Sequence, residues 1–149
     1  MAWIAITESD LLTVLSAPEL DGYRDAALAD AQPDPVAPTI AQVVDLVRGY
    51  VAACSRNLLG PEGTIPSKLI APAIDLIAVR VPGRVGKSPK SGRKDAGDAA
   101  IKLLEQVAAC KYALEEPTVP AAEQASVSVG QPSFSGRARR DVRRESDGL

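Results

Sequence analysis

The sequence predicts an all-α protein: a small bundle of about four to five helices, with a long basic loop and an extended C-terminal arm. Three observations support this prediction. The 149-residue chain is 46% hydrophobic and rich in alanine but only 3% aromatic, and small apolar side chains suit closely packed helices. Apolar residues recur at helical spacing in several segments. Clusters of proline and glycine separate these segments from one another.

Two short helices are predicted near the N-terminus. The first covers residues 7–15, with Thr7 as N-cap and Asp10 three positions later in a weak capping box. The second opens with Pro18 in its first turn and ends before Pro33. Residues 33–38 contain three prolines and are interpreted as a linker, because proline cannot continue a helix interior.

Three longer helices are predicted to form the core of the bundle. The clearest begins at the capping box of Thr39 and Gln42 and runs to about Asn57. After a loop over residues 58–66, a second covers residues 69–81, and a third is capped by Asp95 and runs to about Lys111. Residues 81–94 are predicted to be irregular because of their glycines and prolines. The predicted core comprises Leu12, Val44, Val47, Val51, Ile74, Ile77, Ile101, Leu104 and Val107.

Charge is distributed unevenly along the chain. The charged residues within 1–35 are all acidic except Arg24, whereas the loop over residues 80–94 contains basic residues and no acidic residue. Opposite charges at separate sites favour head-to-tail contact between copies or docking on another protein, although each run also fits an ordinary solvated face. The loop lacks aromatic residues, so it suits phosphate or partner contact rather than base readout. Its candidate contact residues are Arg80, Arg84, Lys87, Lys90, Arg93 and Lys94.

The last part of the chain has a different character, which divides the chain into a helical domain over residues 1–116 and an arm over residues 117–149. Three prolines and few large apolar residues indicate that the arm does not fold alone. The alternating segment 126–129 could add a short strand to the sheet edge of a partner. Plain solvated disorder of the arm is the alternative. Its candidate partner-contact residues are Val127, Val129, Phe134, Arg137, Arg139 and Arg140.

Several classes of chemistry are disfavoured by the composition. The chain contains no histidine, which excludes histidine triads and histidine zinc sites. Cys54 and Cys110 are far apart and each falls at an apolar helical position, so both are interpreted as buried free thiols in a reducing compartment. The segment 83–88 lacks the first glycine of a phosphate-binding loop. We therefore expect no catalytic residue, cofactor or metal ligand, and a protein that is not an enzyme.

No membrane or export segment is predicted. The N-terminus has no basic region ahead of its short apolar run, which is unlike a signal peptide. The most apolar stretch, residues 69–81, is interrupted by Pro72, Asp75 and Arg80 and is too short to span a bilayer. The sequence thus predicts a soluble protein.

The order of these elements resembles a known family. An acidic N-terminal helix pair, a long helix, a proline-led helix, a variable loop and a last helix over residues 95–111 resemble the tailed-phage head-tail connector or adaptor (head completion) proteins. The likeness is greatest to a Mu-like family of conserved phage proteins and covers roughly residues 5–116. The longer basic loop and the C-terminal arm depart from the family pattern.

The resemblance implies a structural virion protein, made in the host cytoplasm and located at the head-tail interface. Such proteins form a ring, commonly dodecameric, beneath the portal; the ring extends the DNA channel and supports the stopper or tail proteins. The partners implied are further copies of the chain, the portal, stopper or tail proteins, and DNA passing nearby without sequence-specific contact; no membrane is involved. A small nucleic-acid-binding protein, such as a DNA packaging subunit, is the main alternative, and a helical domain of a host regulator is a third.

Overall fold

A computed structural model describes residues 3–118 of the chain. This region is mostly helical, which confirms the all-α prediction. Its five α-helices are α1 (Glu8–Leu11), α2 (Ala17–Ala29), α3 (Val36–Ala53), α4 (Ile70–Arg84) and α5 (Arg93–Ala108). Strands β1 (Trp3–Ile4) and β2 (Ile65–Pro66) form a small antiparallel pair, and a 3-10 turn over Ser67–Leu69 leads into α4.

Helices α3, α4 and α5 pack against one another and form the core, with the most extensive packing between α4 and α5. Gly97 allows these two helices to approach closely: a Cβ atom at Gly97 would lie 2.9 Å from Cγ2 of Val79. Seven predicted core residues are buried, namely Val44, Val47, Val51, Ile74, Ile77, Leu104 and Val107. Ile101 is partly buried against this core.

The prediction that Leu12 belongs to the core was wrong, since its side chain is 49% exposed. Helix α1 ends at Leu11 rather than continuing to Leu15. The short helix and the turn after it place Leu11 and Leu15 in the core instead. The capping box at its start is confirmed, with the Thr7 backbone N–H donating to Oδ2 of Asp10 at 2.7 Å.

Helix α3 begins three residues before its predicted start. Pro38 is tolerated because the first helical turn needs no donor from it, and Oδ1 of Asp34 accepts a hydrogen bond from the Val36 N–H at 2.9 Å. Thr39 is therefore inside the helix and buried, where its hydroxyl donates to the Pro35 carbonyl oxygen at 2.6 Å. The predicted linker thus extends only to Pro35, and the helix ends at Ala53 rather than near Asn57.

The prediction that residues 81–94 form an irregular loop was wrong at both ends of this segment. Helix α4 continues through Pro82 to Arg84, and α5 begins at Arg93. The N-cap of α5 is Gly92, whose φ of 85° lies in the left-handed region. Asp95 is consequently in the first turn of α5 rather than at its cap, and α5 ends at Ala108 rather than near Lys111.

Helices α2 and α5 end in the same hydrogen-bonded pattern, with a left-handed residue that is not glycine. Ala31 and Cys110 have φ values of 53° and 58°. The next N–H reaches back to the third-last helical carbonyl in each case, from Gln32 to Ala27 at 2.8 Å and from Lys111 to Gln106 at 2.9 Å. These bonds define Schellman motifs, in which glycine is the usual left-handed residue.

Replacing Ala31 with glycine is expected to raise the free energy of unfolding by about 1 kcal/mol, because the exposed Ala31 occupies a conformation that an L side chain disfavours. Chemical denaturation measures the change. The control is Ala29→Gly in the last turn of the same helix, which should lower the free energy of unfolding. Equal effects of the two substitutions would contradict the assigned backbone strain.

Residues 58–66, predicted to form a loop, end in strand β2, which pairs with β1 at the N-terminus. Arg48 of α3 fixes the loop through hydrogen bonds from its guanidinium to the carbonyl oxygens of Gly60, Pro61 and Thr64 at 3.2, 2.8 and 2.7 Å. The guanidinium also lies 5.7 Å from the centroid of the Trp3 ring. This arrangement binds the N-terminal strand to the middle of the chain.

Trp3 is 8% exposed and requires a glycine opposite it. A Cβ atom at Gly60 would lie 2.5 Å from the indole. The indole N–H donates to the Glu115 carbonyl oxygen at 3.3 Å, so both ends of the described chain meet at this ring. The sequence interpretation assigned no role to Trp3.

Cys54 and Cys110 form a disulfide, and the prediction of two free thiols was wrong. Their Cα atoms are 5.3 Å apart although the residues are 56 positions apart in the chain. Helical periodicity placed each cysteine on an apolar face but carried no information on where two helix ends meet. The bond removes the support that these residues gave to a reducing compartment.

Candidate functional site

The six predicted contact residues of the basic segment, residues 80–94, divide into two groups. Lys87, Lys90 and Arg93 bond to α2 or to groups beside it. Arg80, Arg84 and Lys94 are exposed and form no ion pair with any residue in the range 3–118. The structure therefore brings three of the predicted residues into internal contacts and leaves the other three on the surface.

The internal contacts centre on Glu19 of α2, whose side chain is 9% exposed. Both terminal nitrogens of Arg93 donate to the Glu19 carboxylate, one of them at 3.0 Å. Lys90 Nζ donates to Oε2 at 3.0 Å, and the Tyr23 hydroxyl donates to Oε1 at 2.7 Å. Arg93 also donates to the carbonyl oxygen of Val14 at 3.1 Å. We call these residues the Glu19 cluster.

Electrostatics in the Glu19 cluster follow from its hydrogen bonds. The Arg93 guanidinium, chiefly by hydrogen bonding, holds the pKa of Glu19 far below its ordinary value, although burial opposes this shift. Burial and the adjacent Glu19 carboxylate raise the pKa of Tyr23. Lys87 adds a contact to the Gly22 carbonyl oxygen at 3.3 Å and lies 5.7 Å from the Tyr23 ring centroid. The charges of this cluster are thus paired within one chain.

Stability should fall in acid because of Glu19. A carboxyl group with a lowered pKa in the folded state stabilises that state above its unfolded pKa, near 4.5, and this contribution is lost as the pH falls through the folded pKa. Denaturation at pH 7 and at successively lower values below 4.5 measures the loss. Glu19→Gln is the comparison: it should be less stable at pH 7 and show a shallower decline. Identical pH profiles for the two proteins would contradict the assignment.

A second ion-pair network joins other acidic residues within the same chain. Arg24 of α2 lies 2.7 Å from Oε2 of Glu8 and 3.2 Å from Oδ2 of Asp34. The hydrogen bond from Arg24 lowers the pKa of Glu8. Both networks show that part of the charge asymmetry in the sequence is neutralised by ion pairs within a single chain.

The three surface cations lie in the last part of α4 and the first turn of α5, on either side of the segment that joins these helices. Arg80 and Arg84 are one turn apart on α4, and Lys94 is in the first turn of α5. Gly97, one turn after Lys94, packs against Val79 of α4, next to Arg80. We call this cluster the cationic end.

An apolar groove of about 520 Å³ lies between α3 and α5. Its lining contains one charged residue, and its members are Asp45, Leu46, Gly49, Tyr50, Ala53 and Ala108. A neighbouring groove of about 280 Å³, along the first half of α3, shares Asp45 and includes Ile40 and Val44. Helix α3 therefore presents a largely uncharged face that is not covered by another described element.

Sequence reasoning did not identify this groove, although a signal was present. Exposed positions of a surface helix are usually charged or polar. In α3 the exposed positions include Ala41, Gly49, Ala52 and Ala53. This part of the α3 surface is therefore less polar than the usual exposed face of a helix.

Other predicted features lie outside what the structure describes. The predicted contact residues of the arm, Val127, Val129, Phe134, Arg137, Arg139 and Arg140, all lie outside the described residues. Within residues 3–118, no group of three or more potential ligand side chains is arranged to hold a metal ion. No helix of this described region has both the length and the apolar content needed to cross a bilayer.

No family model matches the chain, and no curated protein or solved structure is significantly similar to it. The resemblance to phage connector proteins therefore rests on the order of the sequence elements alone.

Proposed function

We propose that this chain is a non-enzymatic structural subunit of a ring between the portal and tail of a tailed phage. The ring extends the DNA channel and joins head to tail. One observation carries the proposal: the subunit has two unlike surfaces, the apolar groove beside α3 and the cationic end of α4 and α5. A ring subunit needs more than one contact surface, because it packs against neighbouring copies while another part of it faces the channel or the next protein.

The two surfaces have different tasks in this proposal. The groove supplies apolar area for a neighbouring copy, with Asp45 as the charged group at its edge. The cationic end faces the channel or an acidic partner surface, and its three cations give only weak attraction to DNA phosphates. The portal, stopper and tail proteins are the further partners proposed, and the head-tail interface of the virion is the proposed location.

Assembly of the purified full-length chain tests the proposal. We expect sedimentation velocity and negative-stain electron microscopy to detect closed rings of the chain alone or with a portal protein. Gly49→Glu should prevent ring formation, because it places a charge in the groove. Nothing lies within 4 Å of a Cβ atom at this position, so the fold is retained.

Gly22→Glu is the matched control. Gly22 is also a helical glycine with nothing within 4 Å of an added Cβ atom, but it lies on α2 away from the residues lining the groove. This variant should form rings like the original chain. A monomeric chain at high concentration and with portal protein would refute the proposal, as would equal effects of the two substitutions.

A nucleic-acid-binding protein, such as a small packaging subunit, is the second candidate. The exposed cations Arg80, Arg84 and Lys94 favour it because they have no partner among the described residues. If each contacted a phosphate of double-stranded DNA, affinity would fall about 40-fold between 50 and 200 mM salt.

Titration of DNA with the full chain separates the two candidates. A ring subunit should bind DNA weakly, whereas a packaging subunit should bind tightly with this salt dependence. The triple substitution of Arg80, Arg84 and Lys94 by alanine should then remove binding. The exposed Lys102 on α5, replaced by alanine, is the control.

A further inference from the structure

The segment after α5, residues 109–118, is attached to the body of the protein at two places. The first is the disulfide from Cys110 to Cys54 at the end of α3. The second is Glu115, which contacts residues of β1 and of the 3-10 turn before α4. We call residues 109–118 the C-terminal strap. It contains no helix or strand.

The contacts of Glu115 are individually weak. Its carbonyl oxygen accepts the Trp3 indole N–H at 3.3 Å, and its carboxylate accepts the Ser67 hydroxyl at 3.3 Å. Lys68 Nζ lies 3.8 Å from the same carboxylate and is partly exposed. Bonds of this length and exposure contribute little alone. Tyr112 and Leu114 add partial burial.

The disulfide holds these weak contacts in place. It fixes the chain five residues before Glu115, which keeps that residue at high effective concentration near Trp3. Cys110 itself has a φ of 58°, in the left-handed region that an L residue disfavours. Without the bond, the strap would lose its strongest attachment, and the backbone at Cys110 could relax from its disfavoured left-handed conformation.

The two cysteine residues differ in exposure. Cys54 is 2% exposed, whereas Cys110 is at an intermediate level of exposure at the end of α5. Attack by a thiolate requires access to one sulfur of the bond. The greater exposure of its residue points to Cys110 as the site of attack by a soluble thiol.

We propose that the Cys54–Cys110 disulfide is a redox-controlled clasp for the C-terminal strap. A thiolate of a dithiol reductant attacks the Cys110 sulfur, and the Cys54 sulfur leaves as a thiolate that takes up a proton. The second thiol of the reductant resolves the mixed disulfide and releases the Cys110 thiol. The protein gains two thiols, and the reductant becomes a disulfide.

Reduction releases the strap while the helical core stays folded. Helices α3, α4 and α5 pack directly against one another, and their core residues Val47, Ile77 and Leu104 are fully buried. This inference does not depend on the proposed ring.

The single tryptophan of the chain reports the state of the strap. We expect dithiothreitol to increase acrylamide quenching of Trp3 fluorescence in the full chain, because the indole loses its cover at Glu115. Amide exchange at Cys110 and Lys111 should become at least about ten-fold faster, since both N–H groups bond within the Schellman motif. Far-UV circular dichroism should stay nearly unchanged.

Variants make the result independent of the reductant. The double substitution Cys54→Ser and Cys110→Ser should show the reduced behaviour with or without dithiothreitol. The double substitution Cys54→Ser and Cys110→Gly tests the backbone strain. Because glycine tolerates the left-handed conformation, position 110 should rearrange less than in the variant with two serines. The proposal is overturned if a thiol count shows both cysteines to be free while Trp3 quenching and amide exchange are unchanged. Loss of helical structure on reduction would also overturn it, because the bond would then support the whole fold.

Discussion

We expect Leu104→Asp to leave no soluble folded protein. The Leu104 side chain is fully buried in α5, facing the core shared with α3 and α4. An aspartate there would be a buried charge without a partner, at a cost of more than about 4 kcal/mol, which is comparable to the whole stability of many domains. Expression, solubility and far-UV circular dichroism measure the result.

Lys102→Asp is the matched control for this substitution. Lys102 is two residues earlier in the same helix and exposed to solvent. Its replacement should change the free energy of unfolding by no more than about 0.5 kcal/mol. A soluble, cooperatively folding Leu104→Asp protein would show that the assigned core is wrong. Val47→Asp, in α3, should reproduce the loss because Val47 is equally buried.

The second large effect is expected at the Glu19 cluster, where Arg93→Ala should lower the free energy of unfolding by about 3 kcal/mol. The substitution leaves the Glu19 carboxylate largely buried without its main donor, and removal of one partner of a buried pair is costly. Glu19→Ala should cost less than Arg93→Ala, because arginine can turn to solvent. Denaturant titration measures both.

A double-mutant cycle identifies the coupling. The combined Glu19→Ala and Arg93→Ala substitutions should destabilise the protein by less than the sum of the single changes, since the two groups contact each other directly. Arg24→Ala is the control, because the acids that Arg24 contacts are about half exposed and the loss should stay below about 1 kcal/mol. Strict additivity at Glu19 and Arg93 would refute the cluster as a unit.

The contacts of the Glu19 cluster determine which substitutions can test partner binding without also affecting folding. Lys87 and Lys90 contact α2 within the subunit, so neutralising them alters folding and surface charge together. Arg80, Arg84 and Lys94 alter surface charge without breaking an ion pair among the described residues. Effects of these three on assembly or DNA binding can therefore be interpreted without a large correction for stability.

The sequence by itself determined the fold class and most of the core. Helical periodicity placed Val47, Ile77 and Leu104 inside because burial on one helix face repeats every three to four residues. The capping box of Thr7 and Asp10 was also predictable, since its partners are three residues apart. Local patterns of this kind need no knowledge of the rest of the chain.

Helix boundaries were less predictable because competing local signals were close in strength. Pro38 and Pro82 were interpreted as helix breakers, yet α3 and α4 include them. At the start of α3, Asp34 accepts a hydrogen bond from the Val36 N–H. The unpredicted start of α3 then turned Thr39 from a cap into a buried residue.

Only the tertiary structure decided the contacts between distant segments. The sequence signalled an acidic start and a basic segment, but not that Arg93 meets Glu19 across 74 positions of the chain. It likewise gave no sign that Cys54 meets Cys110, or that Arg48 and Gly60 surround Trp3. Such pairings depend on how whole helices pack. The free energy of that packing is spread over the core, so the residues around each paired position do not specify its partner.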